Sequence, residues 1–452
     1  MTSLEPRAPG PQGVSPPAGT VPLRAALDLG TTTLAGRLLG GDGAVLAEAR
    51  TANPQRPRGA DILARLQHAD EGGAAELQQL LADGVRGLVA ELLAGAGRTA
   101  ADITAAAAAG NPGISHLLCR LPVKPLLVPP HRTPLTALTL LPPSQPDLGL
   151  AVPLQLFPAV TGFVGGDLVA VLFGRLGTED SGLEGNNRQP TTSNQPRIIS
   201  PQPPAPSLVL DLGTNAEIAL WTGSRWLVTS AAAGPAFEAG NIACGMPLAV
   251  GAITDVRLRG DRFELEVAGG GRPAGLCGSG LLALLAAARA GGLLTPDGRI
   301  VEPGEVDTNL ARYLVTHGAG WAICCHRDAR GAILLTQADV RSFQLAKGAV
   351  RAGVEVLLER SGLAADAIAA VMVTGAFGAA LPAAALRGIA MLPEGMVNKL
   401  FAVPNGVLDG LAAFLADPQG AERLAALQGT IKAFPLSGTP AFERRFLAAL
   451  EF

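Results

Sequence analysis

Ala26-Leu-Asp-Leu-Gly-Thr-Thr-Thr33 and Val209-Leu-Asp-Leu-Gly-Thr-Asn-Ala216 carry one phrase twice, an apolar run ending in Asp-x-Gly-Thr. Each copy reads as a strand, a tight polar turn and a second strand. Such a turn offers backbone N–H groups and hydroxyls to phosphate, and its Asp can hold a hydrated metal ion. One copy alone is an ordinary hairpin turn. Two copies on matched hairpins imply two lobes gripping one nucleotide.

The grammar repeats outward from both turns. After the first, 34–39 returns as a strand, Gly40-Gly-Asp-Gly43 turns, and 44–50 forms a third strand. After the second, 217–221, Thr222-Gly-Ser-Arg225 and 226–230 follow the same order. A helix over 75–94 then leads to an apolar strand ending Ala109-Gly-Asn-Pro-Gly113. Its counterpart is a helix over 337–361 and a strand over 370–373 ending Thr374-Gly-Ala-Phe-Gly378. The pattern predicts an α/β protein built on a duplicated βββαβα unit. Residues 1–22, rich in Pro and Gly, read as a flexible leader, and 177–207 as a linker or insertion. Lobe I is thus expected over 23–176 and lobe II, with C-terminal helices, over 208–452.

Length and composition agree with two lobes. A chain of 452 residues with 48% hydrophobic content can bury substantial cores. A net charge of −3 gives no reason to expect nucleic acid or an anionic membrane as partner. The longest apolar stretch, 280–294, carries Arg289, so no membrane span is expected. Five cysteines, with Cys324 and Cys325 adjacent, lack disulfide-framework or zinc-ribbon spacing and read as reduced, buried thiols of a cytoplasmic protein.

The duplicated unit and its turns resemble the acetate/sugar kinase, heat-shock chaperone and actin superfamily, in which ribonuclease-H-like lobes hold ATP and Mg²⁺ between them. The resemblance implies a first phosphate motif of Asp28, Gly30, Thr31, Thr32 and Thr33. The second is Asp211, Gly213, Thr214 and Asn215. Asp28 and Asp211 would orient waters on one Mg²⁺. Gly375, Ala376, Phe377 and Gly378 match the adenosine motif, and Glu238 stands where a nucleoside contact is often found. Lys347 could reach adenine or sit on a solvated helix face. Gly162–Ala170 and Gly275–Gly280 open two helices that match the superfamily's connecting segments, whose helices cross at the hinge. Asp167, in the first turn of one of them, either orients the attacking nucleophile or answers the helix macrodipole. His68 and His116 read as helix surface or core.

Further phrases narrow the resemblance. They are Asn53-Pro-Gln-Arg-Pro-Arg-Gly-Ala-Asp61, Ser230–Glu238, Asn241-Ile-Ala-Cys-Gly-Met246, Gly275-Leu-Cys-Gly-Ser-Gly280 and Thr336–Lys347. Together they are similar to the ATPase part of the reductive activators of corrinoid proteins, over roughly 23–409. That family implies ATP-dependent reduction of Co(II) corrinoid to Co(I) on a corrinoid protein partner of a methyltransferase system. Typical members begin with a ferredoxin-like domain whose four cysteines hold a 2Fe–2S cluster. Here no cysteine precedes Cys119, so no iron–sulfur cluster is expected and a separate ferredoxin or reductase would supply electrons. Pro112-Gly113 replaces the usual residues after Asn111, but Asn–Pro still makes a sound N-cap and first helical position. Three alternatives stand beside this reading: a small-molecule kinase using the same cleft with Asp167 as base, an acyl-CoA dehydratase type activator with an intersubunit cluster, and a non-catalytic nucleotide-gated scaffold.

Overall fold

The computed structural model describes residues 22–175, 205–375, 383–436 and 438–452. The leader and nearly all of the 177–207 stretch lie outside them. Lobe I begins with an antiparallel meander, β1 (Leu23–Leu29), β2 (Thr33–Leu39) and β3 (Val45–Ala52). Helices α1 (Ile62–His68) and α2 (Ala74–Ala96) follow, then β4 (Ile103–Gly110), α3 (Pro112–Cys119), α4 (Lys124–Leu127), β5 (Thr139–Leu141), β6 (Leu154–Leu156) and α5 (Gly166–Arg175). The strand order is β3-β2-β1-β4-β6-β5, with β4 parallel to β1 and β6 parallel to β4.

Lobe II repeats the plan with β7 (Ser207–Leu212), β8 (Ala216–Trp221) and β9 (Trp226–Ala231). Two small sheets come next. The first holds β10 (Ala252–Arg259), β11 (Arg262–Val267) and β12 (Gly275–Leu276), followed by α6 (Gly278–Ala290). The second holds β13 (Leu314–His317), β14 (Gly320–Asp328) and β15 (Gly331–Thr336). The repeat then resumes with α7 (Gln337–Ser361), β16 (Ala370–Gly375), α8 (Ala383–Gly388), α9 (Glu394–Val397) and β17 (Leu400–Ala402). Finally come α10 (Gly406–Ala416), α11 (Gly420–Gly429), β18 (Ile431–Ala433) and α12 (Pro440–Ala448). The order β17-β16-β7-β8-β9-β18 contains the lobe I pattern, with β16 parallel to β7. The duplicated βββαβα unit is present, and α2 and α7 occupy equivalent places over the second and third strands.

Local chemistry sets these elements. Thr336 and Asp339 close a capping box that starts α7, and Gly362 ends it in the left-handed region at φ 70°. Asn111 caps α3 through Ile114 N–H, with Pro112 in the first turn, as the sequence implied. Strand alternation gives each sheet two faces. On one face of the lobe I sheet, Leu23, Leu27, Leu29, Leu34 and Leu38 pack with the apolar stripe of α2. Each fully buried leucine contributes roughly 1.5–3 kcal/mol. The opposite face carries Ala26, Ala35, Ala107 and Ala109 and turns toward lobe II.

Those alanines admit α5 and α10 between the sheets. The helices cross so closely that an added Cβ on Gly174 would lie 3.0 Å from Gly410 Cα, and one on Gly410 would collide with Ala170 O. Phe157, Phe173 and Phe414 join the crossing edge to face, with Phe157 and Phe414 centroids 4.9 Å apart. This corrects one expectation. The helix opened by Gly275–Gly280 does not cross its lobe I counterpart; α6 packs against β10 and α8, and α10 takes that place. Glycines at a helix start announce a close approach without saying to what. For α6 the neighbour is the backbone of Ile253, against which Gly280 is seated.

Candidate functional site

The two Asp-x-Gly-Thr turns meet. Thr32 Oγ1 of the first lies 3.4 Å from Thr214 Oγ1 of the second. Each turn ends the first strand of its lobe, so both aspartates stand at the edge of one cleft. Gly30 permits the first turn: an added Cβ would sit 2.5 Å from Thr33 O. The turn is braced by amides. Asn53 Nδ2 donates to Gly30 O at 2.9 Å, and Asn111 Nδ2 donates to Thr31 Oγ1 at 2.8 Å. The second turn is braced by an acid, with Thr214 Oγ1 donating to Glu238 Oε1 at 3.2 Å. An added Cβ on Gly213 would touch that same oxygen at 3.4 Å.

Acids crowd this cleft. Burial pushes the Asp28 carboxyl up to about 7, with the charge of Asp167 adding to the rise and Arg50 opposing it. Burial raises Asp211 to about 8, helped by Asp167, Asp28 and Glu238. Asp167 is raised to about 6 by burial, although Leu168 N–H donates to its Oδ1 at 2.8 Å. Asp28, Asp167 and Asp211 keep some surface open to the cleft while protein surrounds them. Asp167 therefore belongs to the acidic cluster as well as to the first turn of α5.

Glu217 is a member that sequence reasoning missed. It is buried on β8, directly opposite Asp211 on β7, and accepts from Ser230 Oγ at 3.2 Å. Burial, then Asp167 and Asp211, raise its carboxyl far above the usual range. The clue was strand register: residues paired across a hairpin share a face. Asn53 was visible within a quoted phrase but had no assigned task until its amide was seen on Gly30.

The remaining expected residues divide. Gly375 closes β16 at φ 93°, and an added Cβ there would lie 2.7 Å from Asp211 Oδ1. Only glycine fits that position comfortably. Ala376, Phe377 and Gly378 lie outside the described residues. Thr33 is exposed at the start of β2, and Asn215 is half-buried in the second turn. Lys347 is not on a solvated face. It is fully buried, donates to Glu451 O and lies 5.2 Å from the Phe452 ring, and burial lowers its ammonium to about 7. The segment after α12, which covers it, was not foreseen.

All five cysteines are free, with Cys277, Cys324 and Cys325 buried. Burial raises Cys119 to about 11 and Cys244 to about 12, which favours the protonated thiol. His116 is a core residue held between Pro122 O and Thr133 Oγ1. Among the described residues no three His, Cys, Asp or Glu side chains form a direct metal-ligand set. No described helix is long and apolar enough to cross a membrane.

Known proteins share this architecture. A family model described as the C-terminal domain of RACo, the ASKHA domain, matches residues 205–452, and one described as the RACo middle region matches 23–175. The corrinoid activation enzyme RamQ of Eubacterium limosum is 26% identical over 445 residues, which cover 93% of this chain and 69% of RamQ. A Co(II) methylated amine-specific corrinoid protein reductase of Methanosarcina barkeri is 30% identical over 224 residues, 45% of this chain and 37% of the reductase. The solved structure of a reductive activator for corrinoid, iron-sulfur protein superposes with a TM-score of 0.82 at 25% identity, covering 96% of this chain and 67% of that one. This chain thus spans about two-thirds of the length of RamQ and of the solved activator.

Proposed function

This chain belongs to the RACo family, and from that premise we propose that it couples ATP binding and hydrolysis to reduction of Co(II) to Co(I) on a corrinoid protein. The supporting observation is the meeting of the two carboxylate turns across one cleft. We divide the chain into ATPase lobes over 23–176 and 208–452, joined through 177–207.

Backbone N–H groups of Gly30 to Thr33 and of Thr214 and Asn215 cradle the phosphates in this reading, Gly213 closes the second turn through its N–H to Asn215 O, and Gly375 to Gly378 pack on adenosine. Glu238 reaches the nucleoside side while bracing Thr214. Asp28 and Asp211 suit a hydrated Mg²⁺, since two desolvated carboxylates raised to about 7 and about 8 favour a cation beside them. Bound there, the ion would neutralise charge on the phosphates. Asp167 accepts a proton from the water that attacks the terminal phosphate, giving ADP and phosphate. Its helix position fixes the carboxylate in the cleft.

Nucleotide state then biases how the lobes sit, and a corrinoid protein responds only if it binds those states with different affinity. One electron from a separate ferredoxin or reductase reduces Co(II) to Co(I). The test is anaerobic. A Co(II) corrinoid protein of a methyltransferase system, a low-potential reductant and this chain are mixed with and without Mg-ATP. ATP-dependent growth of the Co(I) absorbance, with ATP turnover stimulated by the corrinoid protein, is expected. Co(I) formation indifferent to ATP would refute the coupling, and phosphorylation of a small acceptor would favour a kinase.

A further inference from the structure

Equivalent strand rows in the two lobes differ in charge. In lobe II the row reads Asp211 on β7, Glu217 on β8 and Ser230 on β9. In lobe I it reads Asp28 on β1, Ala35 on β2 and Arg50 on β3. In-register residues share a face, so Asp28, Ala35 and Arg50 point to the same side of the sheet. That side carries the alanines that face lobe II.

Strands lie about 4.8 Å apart, so Arg50 starts roughly 10 Å from Asp28, within reach of a side chain laid over Ala35. Ala35 ends at its Cβ and leaves the path open. The charge of Arg50 already acts on Asp28. The guanidinium remains exposed, donates to the neutral Asn405 side chain just before α10, and forms no ion pair among the described residues. Arg37, on the same face, differs: it is committed to Glu48 at 2.6 Å and Asp409 at 2.7 Å.

We propose that Arg50 is the lobe I contact to the terminal phosphate of the bound nucleoside triphosphate, and that it leaves Asn405 to make that contact. The assignment rests on the ATPase reading above and adds a residue to it. Whatever carboxylates among Asp28, Asp167, Asp211 and Glu238 are ionised repel a triphosphate, and a guanidinium without an ion pair at the edge of their cleft offsets that repulsion. Guanidinium geometry suits a phosphate better than an amide oxygen, because two N–H groups can meet two anionic oxygens. Since Asn405 belongs to the α10 side of the crossing, the exchange makes one lobe contact depend on whether the terminal phosphate is present.

The experiment compares affinities for Mg²⁺ complexes of the β,γ-imido analogue of ATP and of ADP, by calorimetry on the full chain. Arg50→Ala is expected to weaken the triphosphate analogue at least about tenfold and ADP less than about twofold, the size of one lost charge-assisted contact. Arg50→Lys recovers part of the loss, and Asn405→Ala leaves triphosphate affinity unchanged or tighter. Thermal unfolding of Arg50→Ala should match the parent, because the side chain is exposed. Equal losses for both nucleotides, or no loss for either, would overturn the assignment while leaving the ATPase reading intact. A parent chain that binds neither nucleotide would overturn both.

Discussion

The two Asp-x-Gly-Thr turns share a phrase but not a support. The lobe I turn hangs on neutral amides, Asn53 on Gly30 O and Asn111 on Thr31, and its strand row ends in a cation. The lobe II turn leans on Glu238, and the neighbour of Asp211 is the buried acid Glu217. Duplication therefore supplied geometry twice and electrostatics once each way. Lobe I sets the cation Arg50 against its own carboxyl, Asp28. Lobe II instead surrounds Asp211 with the further acids Glu217 and Glu238.

The strongest attack on this contrast removes the shared feature. Asp28→Ala and Asp211→Ala should each cut kcat/KM for ATP by about 100-fold or more, the scale of losing a preorganised electrostatic contact. Steady-state ATPase assays at saturating Mg²⁺ would show it, and parent-like rates and affinities in both variants would contradict the metal role. Next comes the brace. Asn53→Ala frees Gly30 O and should raise KM for ATP by about fivefold to tenfold, worth about 1 kcal/mol, with kcat changing less. Glu238→Gln keeps a hydrogen-bond acceptor for Thr214 and removes a charge, so it should lower KM instead. The same direction of change in both variants would erase the distinction between the two turns.

The smallest expected effect is on stability without nucleotide. Asp28 and Asp211 are raised to about 7 and about 8, so the folded chain holds protons that the unfolded chain has already released. Between about pH 4 and pH 8 the unfolded state binds fewer protons, and stability falls as pH rises through that window. Asp211→Asn should thus unfold at higher temperature than the parent at pH 8, by on the order of 1 kcal/mol after allowance for water in the cleft, with the gap closing near pH 4. Scanning calorimetry at several pH values checks the sign. Addition of Mg²⁺ and nucleotide to the parent should narrow the same gap. Lys347 acts oppositely: its ammonium, lowered to about 7 by burial, makes stability rise from about pH 7 toward 10.5. Lys347→Met should flatten that rise.

Comparison of particular residues shows where reading the chain stopped. Asp28, Asp211 and Asp167 were legible because strand alternation, turn composition and a glycine-rich helix start each have a local signature. Glu217 and Arg50 were equally visible as letters, yet their meaning lies in pairings across strands. Lys347 was misread because a helix face looks solvated until the segment that covers it is placed. The hinge partner was misread for a similar reason: α10 contains no motif, only Gly410 where α5 needs room.

From the linear order alone came the doubled βββαβα plan, the two Asp-x-Gly-Thr turns and the family. These depend on backbone preferences and periodic burial that act over a few residues and repeat in order. Which acid joins Asp211 and which cation overlooks Asp28 waited on strand register, which single residues do not announce. Which helix crosses α5 and what covers Lys347 were settled only when segments far apart in the chain shared one gap, and no local pattern records such a distance.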